Sequence, residues 1–151
     1  MIHYRNRVRR SGVDGRALVA TAKTLLGACG EDGSSISLTL VDDATIRVMN
    51  QQHRGKDSPT DVLSFPLEPD APRDDGDPER LLGDVVISID TARRQAADYD
   101  AKLQAELYRL LIHGLLHVLG HDHEEQRERE VMTREERRLA AAIALPWPYD
   151  A

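Results

Sequence analysis

Residues 102–120 run KLQAELYRLLIHGLLHVLG, the longest helical pattern in the chain, and any fold has to be built around it. Leu103, Leu107, Leu110, Leu111 and Val118 make one apolar face, and Ile112, Leu116 and Leu119 cover most of the other side. A helix apolar nearly all round belongs in the interior. Yet this one also carries His113 and His117, four residues apart and so one turn above each other on a single face. Neutral imidazoles left unpaired in a core would cost free energy, so the pair calls for a partner.

The neighbouring segments supply layers to bury that helix. Residues 16–28 space Leu18, Ala22, Leu25 and Leu26 at helical intervals, with Gly27 or Gly30 as the stop. Residues 35–41 alternate Ile36, Leu38 and Leu40 against Ser35, Ser37 and Thr39, the pattern of a strand with one buried face. Asp42 or Asp43 then caps a short helix carrying Ile46 and Met49. The segment HRGKDSPTDVLSFP (53–66) has turn chemistry first and a strand, Val62–Phe65, after it, closed by Pro66. Residues 67–80, rich in proline, glycine and acid, read as an exposed loop. The apolar run 85–89 reads as a central strand, and Asp90 or Thr91 caps a helix reaching about Tyr99. Residues 124–145 form a charged surface helix with one apolar side, and PWPYDA ends it. The expected fold is α+β: a mixed sheet of three or four strands with helices packed on it, in one domain over 1–151, around the buried histidine-bearing helix.

Composition narrows the function. No run of about 18 apolar residues exists to span a membrane. MIHYRNRVRR has charge but no apolar stretch behind it, which argues against a secretory signal, and the single Cys29 cannot make an internal disulfide. These features point to the cytoplasm. The net charge of −6 argues against nucleic-acid binding over the whole surface, but not against local basic patches. Arg5, Arg7, Arg9 and Arg10 form one such cluster, and Arg54 with Lys56 another. Six aromatic residues leave little for base-stacking platforms, so any nucleic acid would be held through phosphates and shape.

Four of the six histidines lie between 113 and 123, in HGLLHVLGHDH. Gly120 can take the left-handed conformation that ends a helix, letting the chain return a third histidine to the same ion. His113, His117, Gly120 and His123 match the H-x-x-x-H-x-x-G-x-x-H spacing of the metzincin proteases. That spacing favours His123 over His121 as third ligand and leaves His121 as a neighbour suited to proton transfer. Asp122, between them, is placed to orient a ligand. Three imidazoles suit zinc, with nickel or copper as alternatives, and leave a fourth position open, as in catalytic sites. Metzincins carry a glutamate directly after the first histidine as general base; here that place is Gly114. Peptide hydrolysis then lacks its usual proton acceptor, and a different reaction is expected.

Three segments, HRGKDSPTDVLSFP (53–66), LLGDVVISIDTA (81–92) and HGLLHVLGHDH (113–123), resemble the YbeY family of bacterial endoribonucleases, also called ribosomal RNA maturation factors. The helix motif of that family, H-G-x-L-H-x-x-G-[YH]-D-H, is matched at every defined position. The resemblance implies a mixed, mainly four-stranded sheet with surrounding helices and one zinc ion held by His113, His117 and His123. It implies Arg54 as the basic residue of the catalytic cleft. It further implies a zinc-dependent, single-strand-type endoribonuclease acting on ribosomal RNA of the small subunit, with ribosome-associated proteins as partners and a part in ribosome quality control. The residue chemistry is compatible: a zinc ion can bind a phosphoryl oxygen, and an arginine fork suits a phosphate. The proton acceptor stays open between His121 and a hydroxide on the zinc.

Blander readings stand beside these. Arg54 could be a solvated loop arginine, and Lys56, Asp57 and Asp61 could simply shape a turn. Asp84 is balanced between bonding a ligand histidine and capping a turn. The arginines of 5–10 could meet RNA phosphates or flank an N-terminal strand. Two other functions compete: another metal-dependent hydrolase, which Gly114 counts against, and a ribosome-associated binding factor whose zinc only stabilises the fold.

Overall fold

The computed structural model describes residues 1–67 and 80–147. The expected α+β architecture is present. Strand β1 (Ile2–Asn6) leads into helix α1 (Gly15–Ala28), then β2 (Ser34–Val41), α2 (Asp43–Arg54), β3 (Val62–Pro66) and β4 (Arg80–Ser88). Helices α3 (Ile89–Asp98), α4 (Leu103–Val118) and α5 (Gln126–Ala142) follow. The sheet order is β1-β2-β4-β3, with β1, β2 and β4 parallel and β3 antiparallel to β4 at the edge.

Strand alternation sorts the two faces. Ile36, Leu38 and Leu40 of β2 and Val85 and Ile87 of β4 point to the side where α1 and α4 pack, and all five are fully buried there. Val41 and Val86 point the other way, where Ile46 of α2 and Leu63 of β3 complete a smaller cluster. Helix α4 packs on β3 and β4 of the sheet and also touches helices α1, α3 and α5. Its Leu107, Leu110, Leu111 and Ile112 are wholly buried, each contributing about 1.5–3 kcal/mol of transfer free energy.

One member of this buried helix is charged. Glu106 is 0% exposed, and its carboxylate accepts from the Arg109 guanidinium one turn on. Arg109 also donates to Gln95 of α3 at 3.1 Å, and Gln95 in turn donates to Asp61 at 3.2 Å. A buried charge is tolerated only when paired in this way. The network ties α3 and α4 to the segment just before β3.

Several local expectations need correction. Strand β4 begins at Arg80, not at 85, and Ile89 already belongs to α3. The cap of α3 is therefore Ser88, whose hydroxyl accepts from the Thr91 N–H at 3.3 Å, and not Asp90 or Thr91. The Asp90 carboxylate instead accepts from the Asp43 N–H at 2.9 Å. Asp84 sits inside β4, paired with Phe65 and Ser37, so it caps no turn. It shares the face of Val86, opposite α4, and among the described residues bonds no histidine. The arginine-rich start does flank a strand: β1 was foreshadowed only as an alternative. Helix α1 runs past Gly27 and stops before Gly30. The 67–80 loop expectation falls on 68–79, outside the described residues, apart from Leu67 and Arg80.

Candidate metal centre

Two of the histidines are placed by packing. Helix α4 is held on the sheet at Gly114, where a Cβ would lie 2.7 Å from Val85 Cγ1, 3.1 Å from Val62 Cγ2 and 3.2 Å from Ser64 Oγ. The Ser64 hydroxyl donates to the Gly114 carbonyl at 2.9 Å. Position 114 thus faces β3 and β4, while His113 and His117 flank it and turn toward a cleft beside β3. The third histidine is placed by a turn. Gly120, at φ +99°, reverses the chain after α4, with the Gly120 N–H bonded to His117 O at 3.0 Å and the His121 N–H to Leu116 O at 2.9 Å.

The turn brings His123, and not His121, to the pair. One ring nitrogen from each of His113, His117 and His123 lies within 4.8 Å of the others, a group that could hold a metal ion. The Nε2 atoms of His113 and His117 are 3.1 Å apart. Two nitrogens bound to one tetrahedral ion at 2.0–2.1 Å stand about 3.3 Å apart, so the pair needs almost no movement to share one. Burial, followed by the neighbouring imidazoles of His113 and His123, lowers the pKa of His117 and favours the neutral ring a metal requires.

Carboxylates support the outer nitrogens. Glu136 of α5, 14% exposed, places Oε2 3.3 Å from His113 Nδ1. An Nδ1–H donated there leaves the Nε2 lone pair aimed at His117 and the cleft. Asp122 Oδ1 accepts the His123 N–H at 2.7 Å and lies 3.3 Å from His123 Nδ1, which matches its expected orienting place. Hydrogen bonds from the His123 backbone and ring hold the Asp122 carboxyl below its ordinary pKa.

The cleft has a volume near 480 Å³, and its walls include Arg54, Asp61, Ser64 and His121 besides the three histidines. Arg54 ends α2, where Gly55 in a left-handed conformation turns the chain away. Its side chain is exposed and makes no ion pair among the described residues. His121, also lining the cleft, is half-buried. Asp61 does more than shape a turn: Oδ1 accepts the Val62 N–H at 2.8 Å and Oδ2 accepts from Gln95. Asp57 pairs with Arg47 at 2.8 Å on the surface, and Lys56 is exposed. Sequence reasoning missed Glu136, Ser64 and the Glu106–Arg109–Gln95 network. Only the lone charged pair inside an apolar helix could have flagged the last.

A sequence profile described as "Endoribonuclease YbeY" matches residues 4–144. The chain belongs to the endoribonuclease YbeY family. The chain is 44% identical over 129 residues to a protein named endoribonuclease YbeY from Pelotomaculum thermopropionicum, covering 85% of each chain. A relative of the same name from a Bradyrhizobium strain is 42% identical over 135 residues, covering 89% of this chain and 79% of its own. The solution structure of TM1509 from Thermotoga maritima shares the fold, at a TM-score of 0.58 and 24% identity, over 95% of this chain and 92% of that one. Gly114, the departure from the metzincin pattern, has a packing role in this YbeY chain whatever the reaction.

Proposed function

We propose that this chain is a zinc-dependent endoribonuclease that processes small-subunit ribosomal RNA in the cytoplasm and contributes to ribosome quality control, alongside ribosome-associated proteins. The observation that carries the proposal is the convergence of three histidine nitrogens and a free-standing arginine on one cleft in a YbeY-family chain. The family name supports RNA cleavage, and the donor set supports the metal. Three imidazoles form a borderline-soft nitrogen set that suits zinc and leaves a coordination position open.

His113, His117 and His123 would hold the ion, which supplies Lewis acidity toward a phosphoryl oxygen. Arg54 grips the scissile phosphate through two parallel N–H donors and offsets the charge that grows on its oxygens during attack. His121, on the wall of the cleft, would accept the proton of the attacking hydroxyl. Glu136 and Asp122 hold the rings of His113 and His123 in the orientation the site needs.

Arg54→Ala tests this reading. Cleavage of structured ribosomal RNA by the purified protein is expected to fall by about 10²–10³, the usual effect of removing one such donor, with zinc content and melting temperature unchanged. Undiminished cleavage would take Arg54 out of the mechanism. Glu136→Gln tests the support of the site. It should weaken zinc by roughly 10- to 100-fold in competition with a chromogenic chelator, and Glu136→Asp should recover part of that loss. Equal zinc affinity in all three proteins would reduce Glu136 to a packing residue.

A further inference from the structure

We propose that the open outer face of β1 and β2 is a second RNA contact, a groove that holds the sugar-phosphate backbone of a single strand at a distance from the cleft. The proposal rests on the endoribonuclease reading and extends it to how a long substrate is held.

The first ten residues contain four arginines and a histidine and no acid, in a chain whose 26 acidic residues outnumber its 20 lysines and arginines. Strand alternation puts His3 and Arg5 on one face, in register with Ser37 and Thr39 of β2. Arg7 continues the pattern one step past β1, because its N–H still bonds Leu40 O at 2.9 Å. Helix α2 covers the β4 and β3 part of this face through Ile46, and leaves the β1–β2 part open. What remains is a groove of about 490 Å³ lined by His3, Tyr4, Arg5, Arg7, Ser37 and Thr39. Among the described residues, the side chains of His3, Arg5, Arg7, Arg9 and Arg10 make no ion pair or hydrogen bond. Asp84 lies one strand over, beside Ser37, and bounds the groove on that side.

Charge complementarity selects the occupant. Guanidinium forks match pairs of phosphate oxygens, and the Ser37 and Thr39 hydroxyls add neutral donors between them. Successive groove side chains stand about 6.7 Å apart along the strand, a regular ladder suited to a polymer with a charge at every repeat. The ring of Tyr4 lies on the opposite face, against Gly15 of α1, so bases would not be read on it, and binding would be indifferent to sequence. In the sheet order, β1 and the cleft beside β3 lie at opposite edges, three strand spacings or about 14 Å apart. Only RNA long enough to reach both sites would feel the groove.

The test compares a three-nucleotide and a thirty-nucleotide unstructured RNA, with binding followed by fluorescence anisotropy across a salt series. Arg5→Gln/Arg7→Gln is expected to weaken the long RNA on the order of tenfold near 0.1 M salt and to flatten its salt slope by about 1.4. The short RNA should bind and be cleaved as in the parent. Arg5→Lys/Arg7→Lys should keep the parent salt slope, which separates charge from any effect on folding. Unchanged long-RNA affinity and slope in the glutamine variant, with cleavage intact, would overturn the groove and leave the endoribonuclease reading standing. Parent protein that binds long RNA through Arg5 and Arg7 but cleaves nothing would do the reverse. Displacement of the long RNA by polyglutamate of equal charge would also overturn the assignment, in favour of an acidic protein segment.

Discussion

His117→Ala is expected to abolish both zinc binding and RNA cleavage while leaving the secondary structure intact. His117 is the central donor, with ring centroids 4.7 Å from His113 and 5.0 Å from His123. Its loss leaves two rings with centroids 5.7 Å apart, on elements that no longer share a third partner. Zinc by elemental analysis should fall from one per chain to background, and cleavage of structured ribosomal RNA by 10³ or more. A bound ion at about 1,000 times its dissociation constant adds about 4.1 kcal/mol of stability. The zinc-loaded parent should therefore melt well above the variant, and the parent treated with chelator should melt close to it. Equal cleavage by both proteins would point to a contaminating nuclease. It would move the function to the zinc-stabilised binding factor.

Gly114→Glu, which restores the residue a metzincin carries there, is expected to damage the fold without producing a peptidase. The position looks catalytic in the motif but faces the sheet: a Cβ there meets Val85 at 2.7 Å before any carboxylate is considered. Overpacking of this kind typically costs about 1–3 kcal/mol, and an unpaired buried carboxylate adds several more. The Ser64–Gly114 hydrogen bond, which links α4 to β3, would be strained as well. We expect denaturant unfolding to show a loss of at least about 3 kcal/mol, or no soluble folded protein. Gly114→Ala should show a smaller loss of the same sign. A stable Gly114→Glu protein with new activity on peptides would contradict the packing role assigned to this glycine.

What could be read from the sequence was whatever is local. The His113–His117 pair, the Gly120 turn and the return of His123 are all set within eleven residues, by helix periodicity and one glycine, and the structure brings those three rings together. The alternation in β2 was equally plain. What escaped depends on contacts between distant segments. Glu136 stands 23 positions from His113, on a helix whose many charges read as a solvated face. Glu106 looked like an ordinary charged position until burial made its pairing with Arg109 compulsory. Ser88 took the cap from Asp90 because Ile89, the last apolar residue of the 85–89 run, turns out to open the helix and not to close the strand. Strand β1 is short, with Ile2 its one aliphatic residue, and its partner β2 lies more than thirty residues on.

Helix α4 belongs at once to the core and to the cleft. Its leucines fill the interior and its histidines, on the same rigid rod, set where an ion can sit. A change in packing outside the cleft, one methyl lost at Leu110, therefore tilts or slides the rod and moves two donors together against the third. Ion affinity in this protein is consequently a gauge of interior order, and selection for a tight site and selection for a tight core act on one and the same set of residues.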